Sequence, residues 1–319
     1  MSLLSSLQRD LQEASEAEAR AARTIIAHPD VPSVHATLLT IQKRRENLEE
    51  QFLAAANEVG LDVCSYRIEY DVSRRPTISG VTAALNLFQR TFTTVYDALI
   101  NGPKKIAKLG SDVIDATALE FAYTFPGSVG VMMMLPNDRL LLGGTNLDDA
   151  MRTTLQLISP HAAEQIQALT HTVGLPAVRL AHQWAAENSK AGFGADISWR
   201  RQENEKFELR VQPQEVRDLA YALGSAIAQE QVQVVGDLLD VRLSDLTFQM
   251  RVDGKVISGS FTKAISEANP AQVPKRYLVT LNVQTRIAVA DEGEDVSYIL
   301  VRLDQVEPNP LALSVFSPL

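Results

Sequence analysis

Two apolar stripes, broken once by the hexapeptide HPDVPS (28–33), constrain the first sixty residues more than any other feature of the chain. Leu4, Leu7, Leu11, Ala14, Ala21 and Ile25 recur in steps of three and four, with Glu18 as the one charged exception. Val34, Leu38, Ile41, Leu48, Phe52, Ala55 and Val59 continue the pattern, with Arg45 as its weak member. That period places each set on one face of a helix. Pro29 and Pro32 cannot continue a helix and push the preceding residue towards extended backbone, so the spacing predicts a break there and a second helix capped by Ser33. Two stripes joined by a short turn make an antiparallel, coiled-coil-like hairpin over residues 1–60. Its outer faces are strongly polar, which leaves Leu4, Leu7, Leu11, Leu38, Ile41, Leu48 and Phe52 as candidate interaction residues. They can face each other, the body of the chain or another copy.

Gly60 ends the second helix, and VCSYRIEYDV (63–72) has the β-branched and aromatic content of a strand. A third helix opens near Ser79, carries Val81, Leu85, Phe88, Phe92, Val95 and Leu99 on one face, and stops at Asn101-Gly102-Pro103. ATALEFAYTF and VGVMMMLP then read as paired strands around Pro126-Gly127, the chemistry of a tight turn. Helical patterns follow over 147–158, 162–172 and 176–188, then a second strand pair, ADISWRR and KFELRV, and the helix QPQEVRDLAYALGSAI. Paired strands with helices grouped between them predict an α+β domain over 61–228.

Past Val232 the texture changes to nearly continuous strand signals, with Asp253-Gly254 as a hairpin turn and TKAISEANP as a short helix before the fourth strand. Five short strands predict a small closed barrel of OB or SH3-like type over 229–319. The stretch VVGDLLDVRLSDLTFQMRVDGKVISGSF resembles small β-barrel modules at the ends of many bacterial proteins. Such modules often belong to multi-subunit assemblies, so the resemblance implies a setting and no chemistry.

Candidate chemistry is sparse. Gly127-Ser128-Val129-Gly130 lacks the G-x-S-x-G spacing of a nucleophile elbow and precedes a strand, so Ser128 reads as part of a turn. Gly143-Gly144 before Thr145 and Asn146 suits a helix cap, and Asp148 and Asp149 in the first turn oppose phosphate binding there. His28, His35, His161, His171 and His182 form no H-E-x-x-H or i, i+4 pair, and one cysteine, Cys64, rules out an intramolecular disulfide and a cysteine zinc cluster. No metal site and no cofactor are therefore expected.

Two basic clusters, Lys104, Lys105 and Lys108, and Trp199, Arg200 and Arg201, have the vocabulary of a single-strand nucleic-acid groove. The formal charge of −9, and eight basic against ten acidic residues between Gln231 and Val306, weigh against a phosphate-gripping barrel. No apolar run reaches the length of a membrane span, the first residues lack a signal-peptide pattern, and a reduced intracellular thiol fits Cys64. The chain is thus expected to be cytoplasmic. Its expected role is a non-enzymatic subunit of a bacterial multi-protein assembly, as a homo-oligomer or with a partner protein, in a setting such as anti-phage defence. The alternatives are a nucleic-acid-binding accessory protein using the two basic clusters, and an enzyme with a dispersed site around Ser128 or His171.

Overall fold

The computed structural model describes residues 3–71, 75–104, 108–125, 129–136, 146–160, 163–200, 206–225, 227–262, 272–286 and 296–305. The chain is mixed α+β and divides into two compact units, Met1–Ala226 and Ile227–Leu319. No helix among the described residues is long and apolar enough to cross a membrane.

The first unit opens with α1 (Leu3–Ala27) and α2 (Pro32–Glu58), which pack side by side as a hairpin. The break falls at the two prolines as the pattern requires, but Ser33 is not the cap. Pro32 is the first helical residue and Val31 the cap, with no side-chain bond. Proline suits that position because its missing N–H would have no helical partner anyway. The hairpin does not form a compact unit of its own, as a boundary at Gly60 implied. Its base is pinned to the sheet by a shared core of Leu7, Leu11, Phe52, Ala55 and Ala56 with Val63, Tyr123, Phe125 and Met132.

That sheet contains β1 (Leu61–Tyr70), β2 (Glu120–Phe125), β3 (Val129–Pro136), β4 (Phe193–Arg200) and β5 (Lys206–Val211), in the order β2-β3-β1-β4-β5. Every neighbouring pair is antiparallel. The β2–β3 strands pair as the hairpin reading requires, while residues 126–128, Ser128 among them, lie outside the described residues. Strand alternation sends Val63, Ser65 and Arg67 to one face, and Cys64, Tyr66 and Ile68 to the other. The second face is the main core. It is covered by α3 (Ile78–Asn101), α5 (Asn146–Leu157), α6 (Ala163–Ala191) and α7 (Pro213–Ser225). Rings interlock across it: Tyr66 with Phe88 at 5.2 Å between centroids, and Phe92 with Trp199 at 6.0 Å. The Trp184 indole N–H donates to the Tyr66 hydroxyl at 3.0 Å.

Two helical stretches expected over 162–172 and 176–188 are the halves of α6, kinked at Gly174 (φ 79°, ψ 161°). Only glycine holds that backbone conformation readily, and the Lys104 carbonyl packs where a Cβ would stand. A short helix the pattern did not suggest, α4 (Ser111–Thr117), precedes β2. Seven residues give too few turns for a periodic signal.

Cys64 lies in the middle of this core, and burial pushes its thiol up to about 12. The thiolate is the reactive form. Thiol-specific reagents at neutral pH are therefore expected to leave the native protein unlabelled and to modify Cys64 at the rate the first unit opens. Fast labelling without denaturant would contradict the packing of β1.

The second unit is a closed barrel of β6 (Ile227–Arg242), β7 (Thr247–Val252), β8 (Lys255–Phe261), β9 (Lys275–Arg286) and β10 (Val296–Gln305). The circuit runs β10-β8-β7-β6-β9 and back to β10, and the β8–β10 pair is parallel while the others are antiparallel. Phe248, Met250, Phe261, Tyr277, Val279 and Leu281 fill the interior. The turn at Asp253-Gly254 has both residues at positive φ, as a tight β-hairpin needs. Ile227, expected at the end of a helix, instead starts β6, because residues 227–238 pair continuously with β9. The helix read from TKAISEANP falls on residues outside those described.

Candidate interaction site on the helical arm

Among the described residues, the hairpin meets the sheet near its base. Gln8 reaches Met134, and Thr124 donates to Gln12 at 3.3 Å. From residue 22 of α1 to residue 51 of α2 no side chain is buried. Past the Gln12 contact α1 runs on to Ala27, and at 1.5 Å per helical residue the hairpin stands as an arm roughly 20 Å long beyond that point. Ile25, Val34, Leu38 and Ile41 line its seam and stay half-buried, while Ile26 and Leu39 are 82% and 66% exposed. A two-helix arm has too little bulk to enclose its own apolar stripe.

The expected interaction residues therefore divide. Leu7, Leu11 and Phe52 are buried in the core that fixes the base, with Leu4 and Leu48 packed against it. Leu38 and Ile41 belong to the arm. The two irregular members of the stripes meet each other. Arg45 donates from Nε to Glu18 at 2.8 Å and from Nη1 to Glu49 at 3.0 Å, and Gln42 donates to Glu18 at 3.1 Å. Glu49 also lies 4.0 Å from Arg200 on β4, so the chain of charges links both helices to the sheet. Beneath it the Tyr123 hydroxyl is buried with no hydrogen-bond partner among the described residues. Its pKa is raised by burial and by the nearby Glu49 charge.

Glu18 and Arg45 hold the register of the hairpin at the point where the arm leaves the body. Their side chains are only 15% and 19% exposed, so removing one partner leaves a poorly solvated charge. Arg45→Leu is expected to cost about 2 kcal/mol, and Glu18→Leu with Arg45→Leu about 0–1 kcal/mol, because two apolar residues complete the seam. Chemical denaturation of the singles and the double measures this. A double variant less stable than the sum of the singles would sink the account.

Among the described residues, those expected to contact nucleic acid lie on different elements. Lys104 is tied to the buried Asp97 carboxylate, with Nζ 2.6 Å from Oδ2 and 2.9 Å from Oδ1. It closes the end of α3 on the helical layer. Lys108 is exposed, and Lys105 and Arg201 lie outside the described residues. Trp199 is a correction: its side chain is fully buried against Phe92, and no base can stack on it in the folded protein. Alternation along β4 explains the difference, since Trp199 faces the helical core and Arg200 the opposite side. Lys104 and Arg200 thus sit on different layers of the unit.

Of the residues named for a dispersed enzyme site, Ser128 lies outside the described residues. His171 is exposed on α6, and His182 is half-buried, its pKa lowered by burial. Among the described residues no three His, Cys, Asp or Glu side chains are grouped to hold a metal ion. On the barrel, the outward positions of β7 and β8 carry Gln249, Arg251, Val256, Ser258 and Ser260, with no aromatic side chain. Compared with protein-family models, curated proteins and solved structures, the chain has no match.

Proposed function

We propose that this chain is a non-enzymatic assembly subunit whose working surface is the helical arm. One observation carries the reading: the arm leaves a well-packed body while keeping Ile26 and Leu39 exposed and its seam half-covered. Apolar side chains of that size on a projecting hairpin gain most from a helical partner that completes the bundle. The barrel supports the same reading. Its strand order, with β8 and β10 parallel, fits the OB arrangement better than the SH3 one, yet its β7–β8 face lacks the aromatic platform that single-strand binding uses. Protein contact is the better use for such a surface.

A photoreactive phenylalanine derivative placed at Leu39, expressed in the native host, tests the proposal. Irradiation is expected to give a discrete adduct containing the chain and a protein. If the chain stays entirely unlinked at Leu39 and at Ile26, the arm touches nothing and the reading falls.

A further inference from the structure

On the face of the first sheet opposite α3 and α6, the hairpin base packs over β2, β3 and the start of β1. Further along that face one row crosses the sheet as Phe125, Gly130, Arg67, Asp196 and Arg210. Opposite charges in register across strands attract and ordinarily pair. Asp196 stands between two arginines, yet its carboxylate has no hydrogen bond or ion pair among the described residues. Arg67 is turned to its other side, with its guanidinium carbon 5.1 Å from the centre of the Phe125 ring. That ring fills the space over Gly130, where a Cβ would collide with it. Arg210 reaches across β4 to Glu69 at 2.7 Å, a carboxylate that also accepts from Gln212 at 3.0 Å. Arg67 has no carboxylate partner among the described residues either, and both it and Asp196 are half-buried. Each therefore keeps a charge that water solvates incompletely. One row along, the Ser65 and Ser198 hydroxyls lie 2.7 Å apart, so one donates to the other and the second proton is free to donate.

We infer that this row binds a free α-amino acid, with its carboxylate on Arg67 and its ammonium on Asp196. Charge complementarity selects the ligand. A simple anion on Arg67 meets the Asp196 carboxylate, and a simple cation on Asp196 meets an arginine on either side in register. A small molecule carrying both charges satisfies both groups at once. The Cα atoms of register partners are about 5 Å apart, so the two charges of the ligand must be close together, as they are on one carbon of an α-amino acid. The free hydroxyl proton of the Ser65–Ser198 pair is placed one row away for the second carboxylate oxygen. Leaving Arg67 and Asp196 apart costs stability in the empty protein, a cost that binding sites carry for their ligands. The site lies on the body of the first unit and is independent of the role proposed for the arm.

Calorimetric titration of the full chain with each of the standard protein amino acids, one at a time, tests this. At least one is expected to bind with a Kd below about 1 mM. Asp196→Asn and Arg67→Gln are each expected to weaken that binding at least about tenfold, because each removes a hydrogen bond to a charged group. Asp196→Asn removes a charge that holds nothing in the empty protein, so its thermal midpoint is expected within about 2 °C of wild type. If Arg67→Gln loosens the packing around Phe125 and folds poorly, Asp196→Asn carries the test alone. The same amino acid without its ammonium group, and its methyl ester, are each expected to bind at least about tenfold more weakly than the parent. Equal binding of either would show that one charge is enough, and overturns the inference. Binding that survives undiminished in folded Asp196→Asn places the ligand elsewhere and also overturns it. So does the absence of binding by every amino acid at about 10 mM.

Discussion

Trp184→Ala is expected to destabilise the first unit by about 4–6 kcal/mol, a large share of what holds a domain together. Trp184 is fully buried on α6, and its indole N–H donates to the Tyr66 hydroxyl on β1 at 3.0 Å. Truncation opens a cavity where α6 crosses the sheet and leaves that hydroxyl without its donor. The cavity accounts for about 3–5 kcal/mol and the lost bond for about 1 kcal/mol. Tyr66→Phe separates the two effects, because it removes only the acceptor and leaves a buried indole N–H unpaired, at about 1–2 kcal/mol. The chain has two tryptophans, Trp184 and Trp199, both in the first unit, so fluorescence of Trp199 follows its unfolding in the variant. A cost below about 1 kcal/mol would mean that α6 is not clamped on β1 through this contact.

Much of this core was legible in the sequence. Phe88, Phe92 and Val95 on one helical stripe, and alternating Cys64, Tyr66 and Ile68, are sufficient to say which faces are apolar. The partner of each face was not legible, because a stripe specifies a direction and not what lies opposite. The hairpin base shows this. Leu7, Leu11 and Phe52 read as a seam available to any partner, and they are committed to β1, β2 and β3 of the same chain. Glu18 and Arg45 each looked like a flaw in its own stripe. They pair across a register that exists only once the hairpin closes, and residues 27 apart carry no local sign of it.

Trp199 and Arg200 are a different case, because the signal was present. In a strand, neighbours point to opposite faces, so an aromatic and an arginine in succession cannot share a groove wall. Lys104 carried no such warning: its partner Asp97 is buried on the previous helix, and a lysine after a helix end reads as solvated.

Gly259→Val is expected to open the barrel, with a loss of at least about 3 kcal/mol from the second unit. Closure depends on the parallel β8–β10 pair, in which Gly259 is the register partner of Tyr298, and on the β7–β8 pair, in which it lies opposite Phe248. A Cβ at Gly259 would run into the Tyr298 carbonyl oxygen and would stand 2.7 Å from the Phe248 ring. Neither neighbour can yield. The carbonyl belongs to β10 backbone and the ring is locked in the barrel core, only 2% exposed. A valine adds two methyl groups to the same collision, so the strands separate at their shortest ladder, Tyr298 to Leu300 against Gly259 to Phe261. Separation exposes two sheet edges, which is the state a closed barrel avoids. Hydrogen exchange is the direct measurement: β10 amides should lose protection while β6 and β9, paired along residues 227–238 and 275–286, retain part of theirs. Gly259→Ala is expected to lie between wild type and valine. Full protection of β10 in the valine variant would show that the barrel closes without help from a bare backbone at this position.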